Sequence, residues 1–201
     1  MDYIYEIPNH IDDIVCDDII EKFEADQTKG AGLIGNGSAD ETIKKSIDLR
    51  ISTKEEWSDV DNYLYKKLGE GFQTYVKYLE EMLGDAWSWI WAKSHFEHVV
   101  DTGYQIQRVD KGGFYVWHND HNPSEKREIA CIVYLNTLAP DDGGTTDFMI
   151  GTKRISIKPE KGKVLFFPAV WPFLHTGTPI LSSTKSKYIL TTFFKKGDCQ
   201  S

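Results

Sequence analysis

Three side chains in this sequence have the types and spacing to hold one metal ion. His118 and Asp120 are separated by one residue just after a run of strand formers at 114–117, and His175 follows the apolar pair Phe173-Leu174. Along an extended segment the side chains at i and i+2 point the same way, so His118 and Asp120 can offer an imidazole nitrogen and a carboxylate oxygen to one ion. Two histidines and a carboxylate on one face, with the opposite positions free, suit a non-haem Fe(II) that must bind a co-substrate and oxygen together. Taken alone, a His-x-Asp pair also fits a surface histidine beside a turn aspartate. His118 with His121 would imitate a zinc pair, but His175 already completes three ligands, and His121 reads as a solvent-facing loop residue.

The elements that must position these residues change character along the chain. From residue 104 onward, short runs of β-branched and aromatic residues recur at 104–109, 114–118, 128–135, 145–150, 155–158, 164–167 and 188–194, separated by turns such as Asp110-Lys111-Gly112-Gly113 and Asp141-Asp142-Gly143-Gly144. Seven or eight such strands predict an antiparallel sandwich or jelly roll. The first half reads as mainly helical. Ile19, Ile20 and Phe23 fall at helical spacing within 17–26. Ser52 with Glu55 and Glu56 offers a capping-box start to a long amphipathic helix that carries Val60, Leu64, Leu68, Phe72, Tyr75, Leu79 and Leu83 up to Gly84, with a break expected near Gly69 and Gly71. Ile47, Leu49 and Ile51 alternate as a short strand within 45–52. The expected fold is α+β, mainly β: an N-terminal helical support over 1–94 and a jelly roll over 95–197.

Five ordered blocks then carry a resemblance. They are Gly112-Gly113-Phe114-Tyr115-Val116-Trp117-His118-Asn119-Asp120, then Ile132-Val133-Tyr134-Leu135-Asn136, Gly143-Gly144-Thr145-Thr146-Asp147-Phe148, the segment from Lys158-Pro159 to Phe167-Pro168, and His175-Thr176-Gly177-Thr178-Pro179. In this order they resemble the catalytic domain of the Fe(II)/2-oxoglutarate-dependent dioxygenases, in their prolyl 4-hydroxylase-like branch, over about residues 104 to 194.

The resemblance implies a double-stranded β-helix with iron at one mouth, held by His118, Asp120 and His175. It implies 2-oxoglutarate as co-substrate, chelating the iron through its C1 carboxylate and 2-oxo group. The C5 carboxylate would meet Tyr134 and a basic residue on a late strand. Spacing from the last histidine points to Lys185, whereas the basic-aromatic-x-aliphatic strand pattern points to Lys187, which we take as the assignment with Lys185 as alternate. A physical need supports one such cation, because a carboxylate entering an apolar barrel is costly unless it is paired. The implied cofactors are Fe(II), 2-oxoglutarate and O2, with ascorbate a further candidate. The implied reaction couples decarboxylation of 2-oxoglutarate to succinate and CO2 with C–H hydroxylation of a second substrate, first a peptidyl proline. A free amino acid or other small molecule is the alternative, and a non-catalytic metal-binding jelly roll the second alternative. Asp120 favours hydroxylation, since related halogenases lack this carboxylate. No residue beyond the metal centre is assigned a catalytic role.

Composition narrows the partners. Lys and Arg total 23 against 31 Asp and Glu, a formal charge of −8, which disfavours a nucleic-acid-tracking surface. Residues 176–201 contain no Arg, unlike the nucleic-acid-demethylating branch. The longest apolar run, 164–174, is interrupted by Pro168 and Pro172 and is about half the ~20 residues of a membrane span. Residues 1–10 carry Asp2 and Glu6 and do not read as a secretory signal. Three widely spaced cysteines (Cys16, Cys131, Cys199) suit reduced thiols, and Cys131 reads as a small buried hydrophobe. The expectation is a soluble cytoplasmic protein with no nucleic-acid or membrane partner. Trp87, Trp89 and Trp91 read as an aromatic packing layer, His95 and His98 as surface or packing residues, and 30–38 and 119–127 as candidate lids over the mouth.

Overall fold

The computed structural model describes residues 3–35, 37–89, 96 and 98–197. In chain order the elements are β1 (Tyr5–Ile7), α1 (Asp13–Ala25), β2 (Gly30–Ala31), β3 (Ile47–Arg50), α2 (Ser58–Leu83), α3 (Asp85–Trp89), β4 (Val99–Asp101), β5 (Gln105–Val109), β6 (Tyr115–His118), β7 (Arg127–Tyr134), β8 (Thr146–Ile150), β9 (Lys153–Ile157), β10 (Val164–Pro168), β11 (Leu174–Gly177) and β12 (Lys187–Lys196). Eight strands form a major sheet in the order β1-β10-β7-β12-β5-β3-β2, with β4 also paired to β12. Four form a minor sheet, β6-β11-β8-β9. The mostly antiparallel pair of sheets is the expected jelly roll.

The major sheet is covered on both faces, and strand alternation sorts its side chains between them. On β10, Val164 and Phe166 join the helices, while Leu165 and Phe167 face the minor sheet. On β7, Ile129, Cys131 and Val133 take the helix side, and Ala130, Ile132 and Tyr134 the inner side. The helices meet this sheet with one apolar face each. Leu64, Leu68, Phe72, Tyr75 and Leu79 of α2 are buried, spaced as a single helical stripe. Tyr75 stacks on Phe166 at 5.5 Å and Phe72 on Phe194 at 4.4 Å between ring centroids. From α1, Phe23 sits edge-on to Tyr188 at 6.1 Å.

Several expectations change. The long helix does not break at its glycines: α2 runs unbroken over Ser58–Leu83. Gly71 is there for close approach, since a Cβ on it would lie 3.2 Å from the Phe166 ring and 3.0 Å from His10 Nε2. The Ser52 capping box does not form. A 3-10 turn over Glu55–Trp57 precedes α2, and the Ser52 hydroxyl instead accepts from the Tyr104 amide at 2.8 Å and donates to Asp61. The first half is also less purely helical than its pattern suggests, because β1, β2 and β3 all join the major sheet. Trp87 packs in the helix-side core beside Phe96. The Trp89 side chain, Trp91, His95 and Cys199 lie outside the described residues, and no described helix is long and apolar enough to cross a membrane.

Phe166 ties the sheet to α2 and is fully buried. Phe166→Ala is therefore expected to lower unfolding free energy by about 3–5 kcal/mol. Tyr65→Ala, at a position 69% exposed on the same helix, should stay within about 0.5 kcal/mol. Chemical denaturation monitored by circular dichroism measures both.

Candidate metal centre and its cavity

β11 lies between β6 and β8, and its pairing sets His175 directly across from His118. Asp120 falls two residues past the end of β6, so it reaches the pair from a loop rather than from an extended strand. Asp120 Oδ1 lies 3.6 Å from His118 Nε2, and Asp120 Oδ2 lies 3.3 Å from His175 Nε2. One donor atom from each of the three lies within 4.8 Å of the others. Facial ligands bound at ~2.1 Å and at right angles would stand ~3 Å apart, and the Asp120 oxygens already stand 3.6 Å and 3.3 Å from the two imidazole nitrogens.

Protonation is arranged to match. His118 Nδ1 is 2.7 Å from the Val116 carbonyl, and His175 Nδ1 is 3.4 Å from the Phe173 carbonyl. A carbonyl can only accept, so each contact assigns the proton to Nδ1 and leaves the Nε2 lone pair for a metal. Burial pushes the His175 imidazole down to about 4, outweighing the attraction of Asp120, and the ring is neutral near pH 7. Burial alone would raise the Asp120 carboxyl, but His175, then His118 and Arg127, hold it below the usual carboxylate range. The donor set is two imidazole nitrogens and one carboxylate, which fits a divalent iron with positions to spare.

A bulge adds a residue that strand counting misses. His175 faces His118, yet Gly177 faces Tyr115, so β6 uses one residue more than β11 over this stretch. Tyr115 and His118, three apart and otherwise on opposite faces, both reach the interior. Their rings stack at 3.5 Å between centroids and 20° between planes. Burial, with Asp120 nearby, pushes the Tyr115 phenol up to about 12.

The triad opens into a cavity of about 910 Å³ between the sheets. Its floor is the inner face of β12, where Lys187, Ile189, Thr191 and Phe193 alternate inward. Lys187 is 3% exposed; its Nζ donates to the Gly144 carbonyl at 2.9 Å, and burial lowers the ammonium to about 8. Lys185 lies before β12, half exposed and paired with Asp142 at 2.9 Å, away from this cavity. Tyr134 is fully buried, and its hydroxyl donates to Thr146 Oγ1 at 2.7 Å; Thr146 lines the cavity. At the other end of the inner β12 row, the Arg127 guanidinium lies 3.8 Å over the Phe193 ring and pairs with Glu125 at 2.6 Å. Leu33 and Ile34 of the 30–38 segment and Asn119 to Glu125 of the 119–127 segment also line it. His121 is exposed in that second segment, and Cys131 is buried on the helix side.

Comparisons with known proteins agree with this geometry. The model of the 2OG-Fe(II) oxygenase superfamily matches residues 104–195, and no curated protein matches the chain. Among solved structures the chain is similar to a Pseudomonas putida prolyl-4-hydroxylase, at 16% identity over 98% of this chain and 94% of that one, with a TM-score of 0.69. It is similar to a viral collagen prolyl hydroxylase from Paramecium Bursaria Chlorella virus-1 in complex with 2OG, at 19% identity over 97% of each chain and a TM-score of 0.65. A third is a Trichoplax adhaerens prolyl hydroxylase in complex with a hypoxia inducible factor peptide fragment, at 14% identity over 98% of this chain and 84% of that one, with a TM-score of 0.71. At these identities the likeness establishes the fold.

Burying Lys187 has a measurable thermodynamic signature. Its ammonium falls from 10.5 to about 8 on folding, so between those values the unfolded chain binds the extra proton and stability rises with pH. Below about pH 8 the full cost is present, on the order of 3 kcal/mol. Lys187→Met is therefore expected to stabilise the ligand-free protein at pH 7 by up to about 3 kcal/mol. That gain should shrink between about pH 8 and pH 10.5, as followed by urea unfolding across that range.

Proposed function

We propose, since residues 104–195 belong to the 2OG-Fe(II) oxygenase superfamily, that this protein hydroxylates a peptidyl proline in the cytoplasm. The family uses Fe(II), 2-oxoglutarate and O2. The observation that carries the reading is the convergence of His118, Asp120, His175 and the buried Lys187 on one cavity. The proline substrate is supported by the prolyl hydroxylases among the structural relatives, one of them in complex with a peptide.

When bound, Fe(II) and 2-oxoglutarate supply the oxidation, in which O2 is consumed, the ketoacid becomes succinate and CO2, and a substrate C–H becomes C–OH. The chain's own residues prepare for this. His118 and His175 present Nε2 lone pairs, because backbone carbonyls hold their Nδ1 protons, and Asp120 contributes the one negative charge. Lys187 takes the distal carboxylate of 2-oxoglutarate, with Thr146 beside it and Tyr134 orienting the Thr146 hydroxyl. The ligand's carboxylate then supplies a counter-charge to an ammonium whose hydrogen-bond acceptor among the described residues is the Gly144 carbonyl. Ile132 and Ile189 keep that end of the cavity apolar, which excludes water and strengthens the ion pair. Arg127, held by Glu125 and resting on Phe193, stands on the far side for the second substrate.

The proton on Lys187 sets a pH dependence. Below about pH 8 the lysine is already charged, so affinity for 2-oxoglutarate should be flat. Above it, binding must recover a proton, and affinity should fall by about tenfold per pH unit. Isothermal titration of the Mn(II)-loaded protein with 2-oxoglutarate from about pH 6.5 to about pH 9.5 reads this, and a profile still flat at the upper end would remove Lys187 from the site. Asp120→Ala should lower iron-dependent succinate formation by at least about a hundredfold. A mass-shift screen of proline-containing peptides should show gain of one oxygen on proline. The same gain on free proline alone would move the substrate to the small-molecule class.

A further inference from the structure

A second buried charge in this cavity has no part in the chemistry above. Residues 43–45 run beside the free edge of β6. The Lys45 amide donates to the Phe114 carbonyl at 2.9 Å and the Val116 amide to the Ile43 carbonyl at 3.0 Å, placing Lys44 opposite Tyr115. Lys44 is 5% exposed. Its ammonium lies 2.6 Å from Asp48 Oδ2 and 5.5 Å from the centroid of the Tyr115 ring, over its face. Asp48 is itself fixed, accepting from Ser46 Oγ at 2.7 Å and from Gln105 Nε2. Gly32 seals the cluster, since a Cβ there would fall 2.2 Å from Ser46 Oγ and 3.1 Å from Lys44 Cε.

A buried ion pair with so many partners must do more than neutralise itself, because replacing such pairs by apolar groups is often neutral or stabilising. The contacts run in one direction. Asp48 holds Lys44, Lys44 holds the Tyr115 ring by a cation–π contact, and Tyr115 stacks on the imidazole of His118. The carbonyl of Val116 fixes the hydrogen-bonding edge of that imidazole and leaves its tilt free; the Tyr115 ring fixes the tilt. We propose that Lys44 is a positioning residue of the metal centre, acting through Tyr115 to hold the His118 ring in the plane from which Nε2 meets the ion. The proposal rests on the metal-site reading above and extends it to a segment, 43–48, far from the triad in sequence.

Cobalt(II) tests this without turnover, because its d–d bands and its titrated affinity both report ligand geometry. In the full chain, Lys44→Met should weaken Co(II) binding by about tenfold and alter the d–d envelope. Lys44→Arg, which keeps a cation over the ring, should restore most of both. Tyr115→Leu should weaken binding to the same degree, and adding Lys44→Met to it should cost nothing further. The pair variant Lys44→Met/Asp48→Asn leaves no unpaired charge and carries the same expectation if the single variant folds poorly. Wild-type affinity and spectrum in folded Lys44→Met, or losses that multiply with those of Tyr115→Leu, would overturn the proposal. Co(II) binding by wild type that is indifferent to His118→Ala would instead overturn the metal-site reading and the proposal with it. That outcome is distinct from a His118-dependent site to which Lys44 does not matter.

Discussion

The architecture depends on one constraint: the central strands of the major sheet are buried on both faces, so the pleat alone decides what each residue meets. β7, β10 and β12 pack helices on one side and the minor sheet on the other. With a side-chain period of two, a one-residue slip would exchange the two cores completely. On β12 it would bring Tyr188 and Leu190 into the cavity and turn Lys187 toward α1. The aromatic stack of Phe72, Tyr75, Phe166 and Phe194 therefore guards more than stability. By fixing which face of β10 and β12 meets α2, it fixes which face of the same strands lines the site.

Within that frame the site is built against the usual preference of an interior. Lys187 and Lys44 are both nearly inaccessible, yet they are handled in opposite ways. Lys44 has its counter-ion in the chain, held by two further donors. Lys187 donates to a carbonyl oxygen and forms no ion pair among the described residues; burial lowers its ammonium, and Asp147 nearby offsets that only in part. An internal carboxylate would have relieved it, and would also have occupied the place of the ligand's own. A buried lysine with a lowered ammonium, set at the end of the cavity lined by Ile132 and Ile189, is the kind of group that marks a functional site.

Legibility in the sequence followed the same physics. The triad could be read because its residue types are rare together and because five blocks in order restrict the fold; β3, β5 to β10 and β12 could be read from their runs of β-branched and aromatic residues. The short strands β1, β2, β4 and β11 lie in stretches that show no such run, and β11 is the one that carries His175. Tyr115 lies on a block expected to flank the pocket, but its face could not be read, because the β6 bulge breaks the parity that sequence reasoning relies on. Lys187 and Lys185 share parity and are separable only because β12 begins between them. Lys44 gave no signal at all: the first of two adjacent lysines after a glycine-rich loop becomes part of the site only through the long-range pairing of 43–45 with β6. Gly71 misled for a related reason, since helix propensity describes an isolated helix and not the aromatic ring that needs the space.

The N-terminal half is thereby more than a platform. The minor sheet ends at β6 and the major sheet continues past β5 to β3, so a gap would open between them on that side of the barrel. Residues 43–45 and β3 close it, the former pairing with β6 and the latter with β5. One continuous stretch of chain thus joins the sheet that carries the metal ligands to the sheet that carries Lys187, and the relative position of the two ends of the site is set there. A jelly roll cut down to the strands after residue 104 would keep every proposed ligand and lose the wall that holds them in register. Positioning, not ligation, is the contribution of the first half, and the buried Lys44–Asp48 pair sits at the seam where that contribution is made.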